Sequence, residues 1–415
     1  MALELNTQTN ILQCTRNETI SQKELFPVVI YLTNELPIPP RSGGALREYQ
    51  LLKNLVDRYT IHFVAFTPNF DHEKHNIQLG LILFDSVTLV KPDAYSINDK
   101  LTIPQRILYH RTVNGISVVE QLISLYKPNL IHVQGYFLIQ HIPKTCDVPV
   151  VLAEDNVEFK LDQDWDRISG NIGQKLVEIS KQEEIRAWEM AKICIAITSE
   201  DAQAITREVE GISVRQVSVG FDHLEKEVHH FSNRNVSDPI VLYVANYSWD
   251  PSADGARFLI KKVWPEIREI IPGARLLFAG SAMDERLMVL IKESNNIDLY
   301  GPYDHFSEIG RIAKVFICPL RYGGGIKIKV LEALQYGLPV VSTPIALPGL
   351  PDDLRELVFV GESPVNLAAL TTSLLEGHRT IDSLRTRALK SIKNLPTWEQ
   401  VSLELSSIWM DAINE

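Results

Sequence analysis

The feature that most constrains the fold of this chain is an alternation between two kinds of segment. Short apolar runs rich in β-branched residues, such as 193–198 (ICIAIT), alternate with longer segments in which apolar residues recur at helical spacing, such as 176–192. Strands buried on both faces of a parallel sheet read as such runs, and parallel strands need crossover connections that are usually helical. The alternation therefore predicts an α/β fold, in which helices cover both faces of a parallel sheet.

The alternation occurs twice along the chain. It predicts strands at 27–33, 61–66, 86–90, 130–133, 148–153, 193–198 and 214–219, and again at 240–245, 275–280, 297–300, 315–320, 339–342 and 357–360. The main predicted helices are 45–58, 176–192, 254–270, 327–336, 364–377 and 397–413. A chain of 415 residues is long enough for two cores, so we expect two similar Rossmann-like domains.

The polar stretch 223–238 (HLEKEVHHFSNRNVSD) interrupts the alternation and is typical of an interdomain linker. We therefore predict a first domain over 26–222, the linker over 223–238 and a second domain over 239–395. A final helical segment, 396–415, follows them. Residues 1–25 show no sustained period and are predicted to be flexible.

Composition excludes some function classes. The net charge of −11 and the pI of about 5.6 argue against a nucleic-acid-binding protein, which usually carries a basic face. The four cysteines lie far apart, so they predict neither a zinc site nor a disulfide framework. No signal-peptide pattern and no apolar stretch of membrane-spanning length is visible, which predicts a cytoplasmic protein.

The segment 318–350 (CPLRYGGGIKIKVLEALQYGLPVVSTPIALPGL) carries the most chemical information. A predicted strand ends there, Gly323, Gly324 and Gly325 make a turn, and a helix begins near Lys327. Glycines let backbone N–H groups approach a phosphate, and the N-terminus of a helix adds positive potential. The segment predicts a phosphate-binding loop, but a glycine cap before an exposed helix start would give the same pattern.

Two side chains extend this predicted site. Lys327 supplies a positive charge beside the glycines. Glu332 lies about one helical turn deeper, where a buried carboxylate can accept hydrogen bonds from two vicinal hydroxyls of a sugar. Lys329 points about 200° away from Lys327 on a helix, so we expect it to contribute little.

The helix that contains LEALQYG, followed by LPVVSTP and a further glycine, resembles the donor-binding segment of retaining glycosyltransferase family 4. The resemblance implies the GT-B fold, in which two Rossmann-like domains face each other across a cleft and a C-terminal helix crosses back to the first domain. In that family a Glu-x7-Glu pair reads the donor, and Glu332 matches its second Glu, which holds the ribose hydroxyls. Gly324 stands at the position of the first Glu, so this chain resembles the subgroup with a Gly-Gly-Gly-x-Lys-x-Lys run.

The resemblance extends into the first half of the chain. Residues 36–47 (LPIPPRSGGALR) resemble the opening loop of the family, which implies that Gly43 and Gly44 line the cleft and that Arg47 helps to balance phosphate charge. Asp155 occupies the position of a family histidine at the cleft floor. It either accepts a hydrogen bond from a sugar hydroxyl or caps the following helix, and the sequence leaves both open.

Many relatives carry an Arg and, six residues later, a Lys that are both directed at the donor diphosphate. This chain has Asn246 and Ser252 there, which leaves Lys327 as the predicted phosphate cation. Lys327 and Asp155 are the predicted catalytic residues. The predicted donor-binding residues are Gly43, Gly44, Asn246, Gly301, Pro302, Tyr303, Gly323, Gly324, Gly325, Lys327, Ile328 and Glu332.

A metal ion is not expected. Residues 162–166 (DQDWD) contain a D-x-D pattern, but that motif belongs to metal-dependent glycosyltransferases of a different fold, and a solvated helix is the simpler interpretation. We therefore predict no metal and no cofactor beyond the nucleotide-sugar substrate.

The resemblance implies a retaining transferase that moves a hexose, glucose as the first guess, from a UDP-sugar to a saccharide or lipid-linked saccharide. Surface polysaccharide synthesis and peripheral contact with the membrane would fit such an acceptor. Two rival functions stay open at this point. One is a nucleotide-sugar epimerase of similar architecture, and the other is a catalytically silent subunit that binds saccharide.

Overall fold

The computed structural model describes residues 10–16, 26–96, 99–170, 172–221, 238–303, 305–377 and 381–415. The chain divides into two compact units, one formed by residues up to 220 together with 396–415 and the other by 221–395. The predicted linker, 223–238, lies outside the described residues except for its last position, so it stays a prediction.

The first unit is built on an eight-stranded sheet with the order β1-β4-β3-β2-β5-β6-β7-β8. Every strand pair in it is parallel except β1 with β4. The strands are β1 Ile11–Thr15, β2 Val28–Thr33, β3 Thr60–Phe66, β4 Ser86–Val90, β5 Leu130–Gln134, β6 Val150–Glu154, β7 Ile193–Ala196 and β8 Val214–Gln216.

The helices of the first unit connect these strands. They are α1 Gly43–Lys53, α2 Phe70–Glu73, α3 Ile77–Leu83, α4 Gln105–His110, α5 Gly115–Tyr126, α6 Glu158–Ser169, α7 Gln174–Met190 and α8 Ser199–Glu208. Short 3-10 turns occupy Asp99–Leu101 and Tyr136–His141. Strands β4, β5, β6 and β7 are buried along their whole length, as expected where helices cover both faces of a sheet.

The second unit contains a six-stranded, fully parallel sheet with the order β11-β10-β9-β12-β13-β14. Its strands are β9 Ile240–Asn246, β10 Arg275–Ser281, β11 Ile297–Gly301, β12 Val315–Cys318, β13 Val340–Ser342 and β14 Val358–Val360. Its helices are α9 Asp250–Phe258, α10 Trp264–Ile270, α11 Glu285–Glu293, α12 Phe306–Gly310, α13 Ile328–Gln335, α14 Asp352–Arg355, α15 Pro364–Leu375 and α16 Ile381–Ile392.

The predicted helix 254–270 forms, but it is interrupted. A π-helical turn, Leu259–Val263, lies between α9 and α10. Pro265 is in the first turn of α10, and proline has no N–H to donate to the preceding turn. A wider turn before the proline accommodates the missing hydrogen bond.

One strand lies within the N-terminal segment that the sequence predicts to be flexible. Ile11–Thr15 is the edge strand β1, antiparallel to β4, with Ile11 opposite Val90 and Thr15 opposite Ser86. The prediction is wrong for these five residues because an edge strand needs only one partner and only one buried face, so it lacks a long apolar run.

The last helix, α17 Trp398–Asn414, belongs to the first unit. It begins with a capping box, in which the Thr397 hydroxyl and the Gln400 side chain satisfy each other's backbone N–H groups. Gly220 lets the helix start come close: a Cβ at Gly220 would lie 2.4 Å from the Trp398 Cα.

Trp409 anchors α17 in the first unit. Its side chain is fully buried, and its indole Nε1 donates to His132 Nδ1 at 3.1 Å. Burial lowers the pKa of His132 to about 3, so this ring is neutral and free to accept at Nδ1. The indole also lies edge-on to the Tyr59 ring, whose hydroxyl contacts Ser406 Oγ at 2.7 Å. The predicted return of the C-terminal helix to the first domain is therefore confirmed.

Among the described residues, no helix combines the length and the apolar character that a membrane span requires.

We predict that Trp409→Ala destabilises the first unit by about 3–5 kcal/mol, the usual cost of truncating a buried tryptophan. Amide hydrogen exchange in β2 and β5 measures the effect, since both strands lie in the same unit. Leu403→Ala is the control, because Leu403 is 40% exposed on the same helix and surface changes stay within about 0.5 kcal/mol. Equal effects of the two variants would contradict this role for Trp409.

Candidate functional site

The strand order places a candidate site in the second unit. From β9 the chain first adds β10 and β11 on one side and then returns to place β12 on the other. The connections that follow β9 and β12 therefore leave in opposite directions at the carboxyl edge of the sheet. Open α/β sheets bind ligands in the crevice at such a switch point. Here it is bordered by residues 247–249 and 319–327.

The glycine run lies in this crevice. Gly323 and Gly325 have φ values of +145° and +64°, and L residues with a side chain rarely adopt such values. A Cβ on Gly323 would also lie 3.1 Å from Cη2 of Trp249. Glycine is thus required by backbone conformation at two of the three positions, and Trp249 supports the loop from the β9 side.

The Lys327 side chain stabilises this loop through hydrogen bonds at the start of the following helix. The residue is only 4% exposed and is the N-cap of α13, so the helix begins one residue later than the sequence predicts. Its Nζ donates to the carbonyl oxygens of Gly324 at 2.6 Å and Gly325 at 2.8 Å. The ammonium that the sequence predicts to face a phosphate is engaged with its own loop.

Arg321 joins the loop to α9. Its guanidinium makes a two-point ion pair with the Asp254 carboxylate, with Nε at 2.8 Å from Oδ2 and Nη2 bonded to Oδ1. It also lies 5.6 Å from the centre of the Phe258 ring. The entry to the glycine loop is therefore held by a bidentate contact, which fixes orientation as well as distance.

Lys329 does not point away from the site, contrary to the expectation from helical geometry. Its Nζ lies 3.4 Å from Ser252 Oγ and 5.1 Å from the centre of the Tyr243 ring. Burial lowers the pKa of this ammonium from its usual value. No carboxylate among the described residues pairs with it.

Glu332, on α13, carries a desolvated carboxyl group. Burial raises its pKa to about 7, and none of the described residues donates a hydrogen bond to it. Burial, reinforced by the nearby Glu332 carboxylate, also raises the pKa of the Tyr303 hydroxyl. The predicted residues Glu332 and Tyr303, from α13 and the end of β11, are therefore neighbours.

The other predicted donor-binding residues of this unit lie along the same edge. Asn246 ends β9, and its Oδ1 accepts from the backbone N–H of Ser248 at 3.0 Å, which closes a turn. Gly301 ends β11 with φ +87°, and Pro302 after it is exposed. Ile328 is the first residue of α13. Asn246 thus shapes the loop, and contact of these residues with a donor stays a prediction.

A second switch point lies in the first unit, between β2 and β5. Helix α1 starts after β2 with Gly43 and Gly44, and Ser42 caps it by accepting from the Ala45 N–H. A Cβ on Gly44 would lie 3.3 Å from Asp155 Oδ2. The predicted residues Gly43, Gly44 and Asp155 therefore meet at one edge of this sheet.

Asp155 is not a helix cap. The first N–H groups of α6, from Glu158 and Phe159, are bonded instead by the carboxylate of Glu184, which reaches across from α7 at 2.7 and 2.6 Å. Asp155 accepts from Gln134 Nε2 at 3.0 Å, and burial raises its pKa. This excludes the capping alternative and leaves a polar group at the sheet edge.

Arg47 and Glu48, both on α1, lie close to Asp155. Arg47 is 3% exposed, donates from Nη2 to the Val217 carbonyl at 2.7 Å and lies 3.8 Å from the Asp155 carboxylate. Burial raises the pKa of Glu48 well above its usual value, and Thr33 is its hydrogen-bond donor. Glu48 was missed by the sequence analysis, although its position on the inner face of α1 beside Arg47 was a visible signal.

The D-x-D pattern lies on α6 and its side chains have protein partners. Asp162 accepts from Ser180 Oγ at 2.6 Å, and Asp164 pairs with Arg167. Over the part of the chain that the structure describes, no group of three or more His, Cys, Asp or Glu residues could hold a metal ion.

Residues 238–377 of the chain match a family described as glycosyl transferases group 1. All of the matched residues belong to the second unit, which contains the glycine loop and Glu332. No curated protein sequence matches the chain.

Several solved structures resemble nearly the whole chain. Sucrose-phosphate synthase from Thermosynechococcus elongatus aligns with a TM-score of 0.68 at 17% identity, over 92% of this chain and 98% of that one. Anabaena HepE in complex with UDP-glucose aligns with a TM-score of 0.64 at 12% identity, over 93% of this chain and 100% of that one. The N-terminal domain of Candida albicans trehalose-6-phosphate phosphatase aligns with a TM-score of 0.62 at 11% identity, over 96% of this chain and 99% of that one. At these identities the likeness establishes the fold, and the predicted GT-B class is confirmed.

The raised pKa of Glu332 predicts a pH dependence of stability. Between about pH 4.5 and 7 the folded protein keeps a proton that the unfolded chain has released, so stability falls as the pH rises through this window. Relative to Glu332→Gln, the wild type should lose at most about 1.4 kcal/mol per pH unit. Unfolding free energies of both proteins from about pH 5 to 8 measure the difference, in which all other carboxyl groups cancel. A constant difference would show that the Glu332 pKa is normal.

Proposed function

We propose that this chain, whose second unit carries the glycosyltransferase group 1 domain, transfers a sugar from a nucleotide-sugar donor to a hydroxyl acceptor. The observation that carries the proposal is the Glu332 carboxylate. It is desolvated, lacks hydrogen-bond donors among the described residues, and lies on the helix that leaves the switch-point crevice. An acceptor group that is partly withdrawn from water is costly unless a donor satisfies it, and a bound ligand can supply that donor.

The hydroxyls of a ribose fit this requirement. Two vicinal hydroxyls present two donors that a single carboxylate can accept together, and hydrogen bonds to a charged group are the stronger kind. Because binding would stabilise the ionised carboxylate, a bound nucleoside should lower the Glu332 pKa from about 7.

The glycine loop suits the diphosphate of such a donor. The loop is fixed by Lys327 and Arg321, and it leads into the N-terminus of α13, where backbone N–H groups and the helix dipole favour an anion. Negative charge grows on the leaving nucleoside diphosphate as the sugar bond breaks. Dipoles fixed in advance stabilise that charge without reorganisation.

The first unit suits an acceptor rich in hydroxyl groups. Asp155 and Glu48 place carboxyl groups with raised pKa values at its switch point, and Asp155 is the predicted catalytic residue there. We propose that Asp155 accepts a hydrogen bond from the acceptor hydroxyl and orients it. Retention of configuration, by attack on the same face of the sugar, needs no covalent nucleophile from the protein.

The donor is proposed to be a UDP-hexose, first UDP-glucose, and the acceptor a saccharide or lipid-linked saccharide in surface polysaccharide synthesis. A panel of labelled nucleotide sugars tests the activity. Release of nucleoside diphosphate that requires an added saccharide supports transfer. Interconversion of free sugars would instead indicate an epimerase, and binding without turnover a silent subunit.

We predict that Glu332→Ala weakens UDP binding by at least tenfold, since each charge-assisted hydrogen bond is worth about 1.5–3 kcal/mol. Calorimetry measures the affinity, and an unchanged far-UV spectrum controls for folding. Glu362→Ala, in the same unit, is the matched surface control. Unchanged UDP affinity in Glu332→Ala would show that the carboxylate does not bind the nucleotide and has only a structural role.

We predict that turnover needs no divalent metal ion, because the loop amides and the helix dipole would stabilise the charge of the diphosphate in its place. EDTA should leave the rate within about twofold. If a metal ion stabilised the leaving group, its removal should lower the rate by about 10²–10³, the typical effect of losing one fixed electrostatic contact. A large loss that manganese or magnesium restores would contradict the prediction.

Peripheral membrane contact is proposed for residues 100–111, with the exposed Val113 beside them. Lys100 lies 5.3 Å from the Tyr95 ring centre and Val113 is 82% exposed, but Arg106 is paired with Glu158 at 2.6 Å and is not available. We predict that the protein sediments with anionic vesicles at low salt and that Val113→Glu weakens this binding. Val365→Glu, 61% exposed in the second unit, is the control. No sedimentation of the wild type would remove the idea.

A further inference from the structure

Three cations flank the glycine loop, and two of them already have partners. The Arg321 guanidinium is paired with the Asp254 carboxylate. The Lys327 ammonium donates to two carbonyl oxygens of the loop. Lys329 differs from both, because among the described residues its ammonium makes one hydrogen bond, to the Ser252 hydroxyl at a long 3.4 Å.

The Lys329 ammonium lies where the two diverging strands end. Tyr243, whose ring centre is 5.1 Å away, is in β9, and Ser252 is in the first turns of α9. Its charge also interacts with Cys318, the last residue of β12. The ammonium therefore lies between β9 and β12 and close to the N-terminus of α9.

An ammonium in this position, with no carboxylate partner among the described residues, is unfavourable on its own. Burial lowers its pKa, and neither an aromatic face nor a hydroxyl replaces the hydration of a full charge. An anion held against it would reverse this balance, because two opposite charges attract strongly where water is excluded. The helix dipole of α9 would add to the same attraction.

We infer that Lys329, and not Lys327, is the side chain that binds the diphosphate of the donor. The inference rests on the proposed function and assigns a different task to each lysine. Lys327 positions the glycine loop, so that its amides are held ready. Lys329 provides the charge that the diphosphate meets at the switch point.

Two matched variants and two probes separate these tasks. Lys329→Met removes the charge and keeps the volume. Replacing a half-buried cation that has no carboxylate partner among the described residues by an apolar side chain should leave the fold intact. We expect it to weaken UDP binding by about 10- to 100-fold, the loss of a charge-assisted contact. Binding of uridine, which has no phosphate, should stay the same.

Lys327→Met should behave differently. Its loss leaves the Gly324 and Gly325 carbonyls without their donor, so amide exchange across 321–327 should increase in the free protein. Lys329→Met should leave that exchange unchanged.

A second measurement follows the ammonium itself. NMR of the 13C-methylated lysines should show a Lys329 pKa below the usual value in the free protein, and UDP but not uridine should raise it. A lysine that only packs against Tyr243 would titrate identically with both ligands.

Unchanged UDP affinity in Lys329→Met, or an equal loss of UDP and uridine, would overturn the inference while the proposed function stands. If the wild type binds none of UDP, GDP and ADP, the proposed function fails and the inference falls with it.

Discussion

Because β9 and β12 lie side by side and their connections leave in opposite directions, the carboxyl edge of the second sheet must open into a crevice there. Everything proposed for the second unit depends on this divergence. Trp249, after β9, packs against the glycine loop that follows β12. In the first unit, Gly44 after β2 and Asp155 after β6 come together at the carboxyl edge of the sheet.

Most of the fold could be predicted because parallel strands buried on both faces appear in the sequence as nearly continuous apolar runs. Each predicted strand is present, with its ends shifted by a few residues. The edge strand Ile11–Thr15 was missed because five half-covered residues carry too short a pattern. Helix α1 ends at Lys53, five residues before the predicted end. The apolar stripe in the sequence does not reveal the packing that ends it.

The site could be predicted in part, to the level of segments rather than side-chain partners. The glycine run and Glu332 are visible because their residue types are unusual at those positions. The contacts of Lys327 and Lys329 are not visible, since a helical projection gives the direction of a Cβ and not the position that a long side chain reaches. Glu184, which bonds the start of α6 from a different helix, shows the same limit: its partners are set by tertiary packing.

The first unit is assembled from two stretches of chain separated by the whole second unit. Its hydrophobic interior includes Trp409 of α17, which a ribosome adds only after all of residues 221–395 have been made. During synthesis the second unit can therefore reach its native state first, although the sheet of the first has already emerged. Until then the surface around Tyr31, Tyr59 and His132 lacks the helix that covers it, and exposed apolar surface of this kind is what chaperones bind.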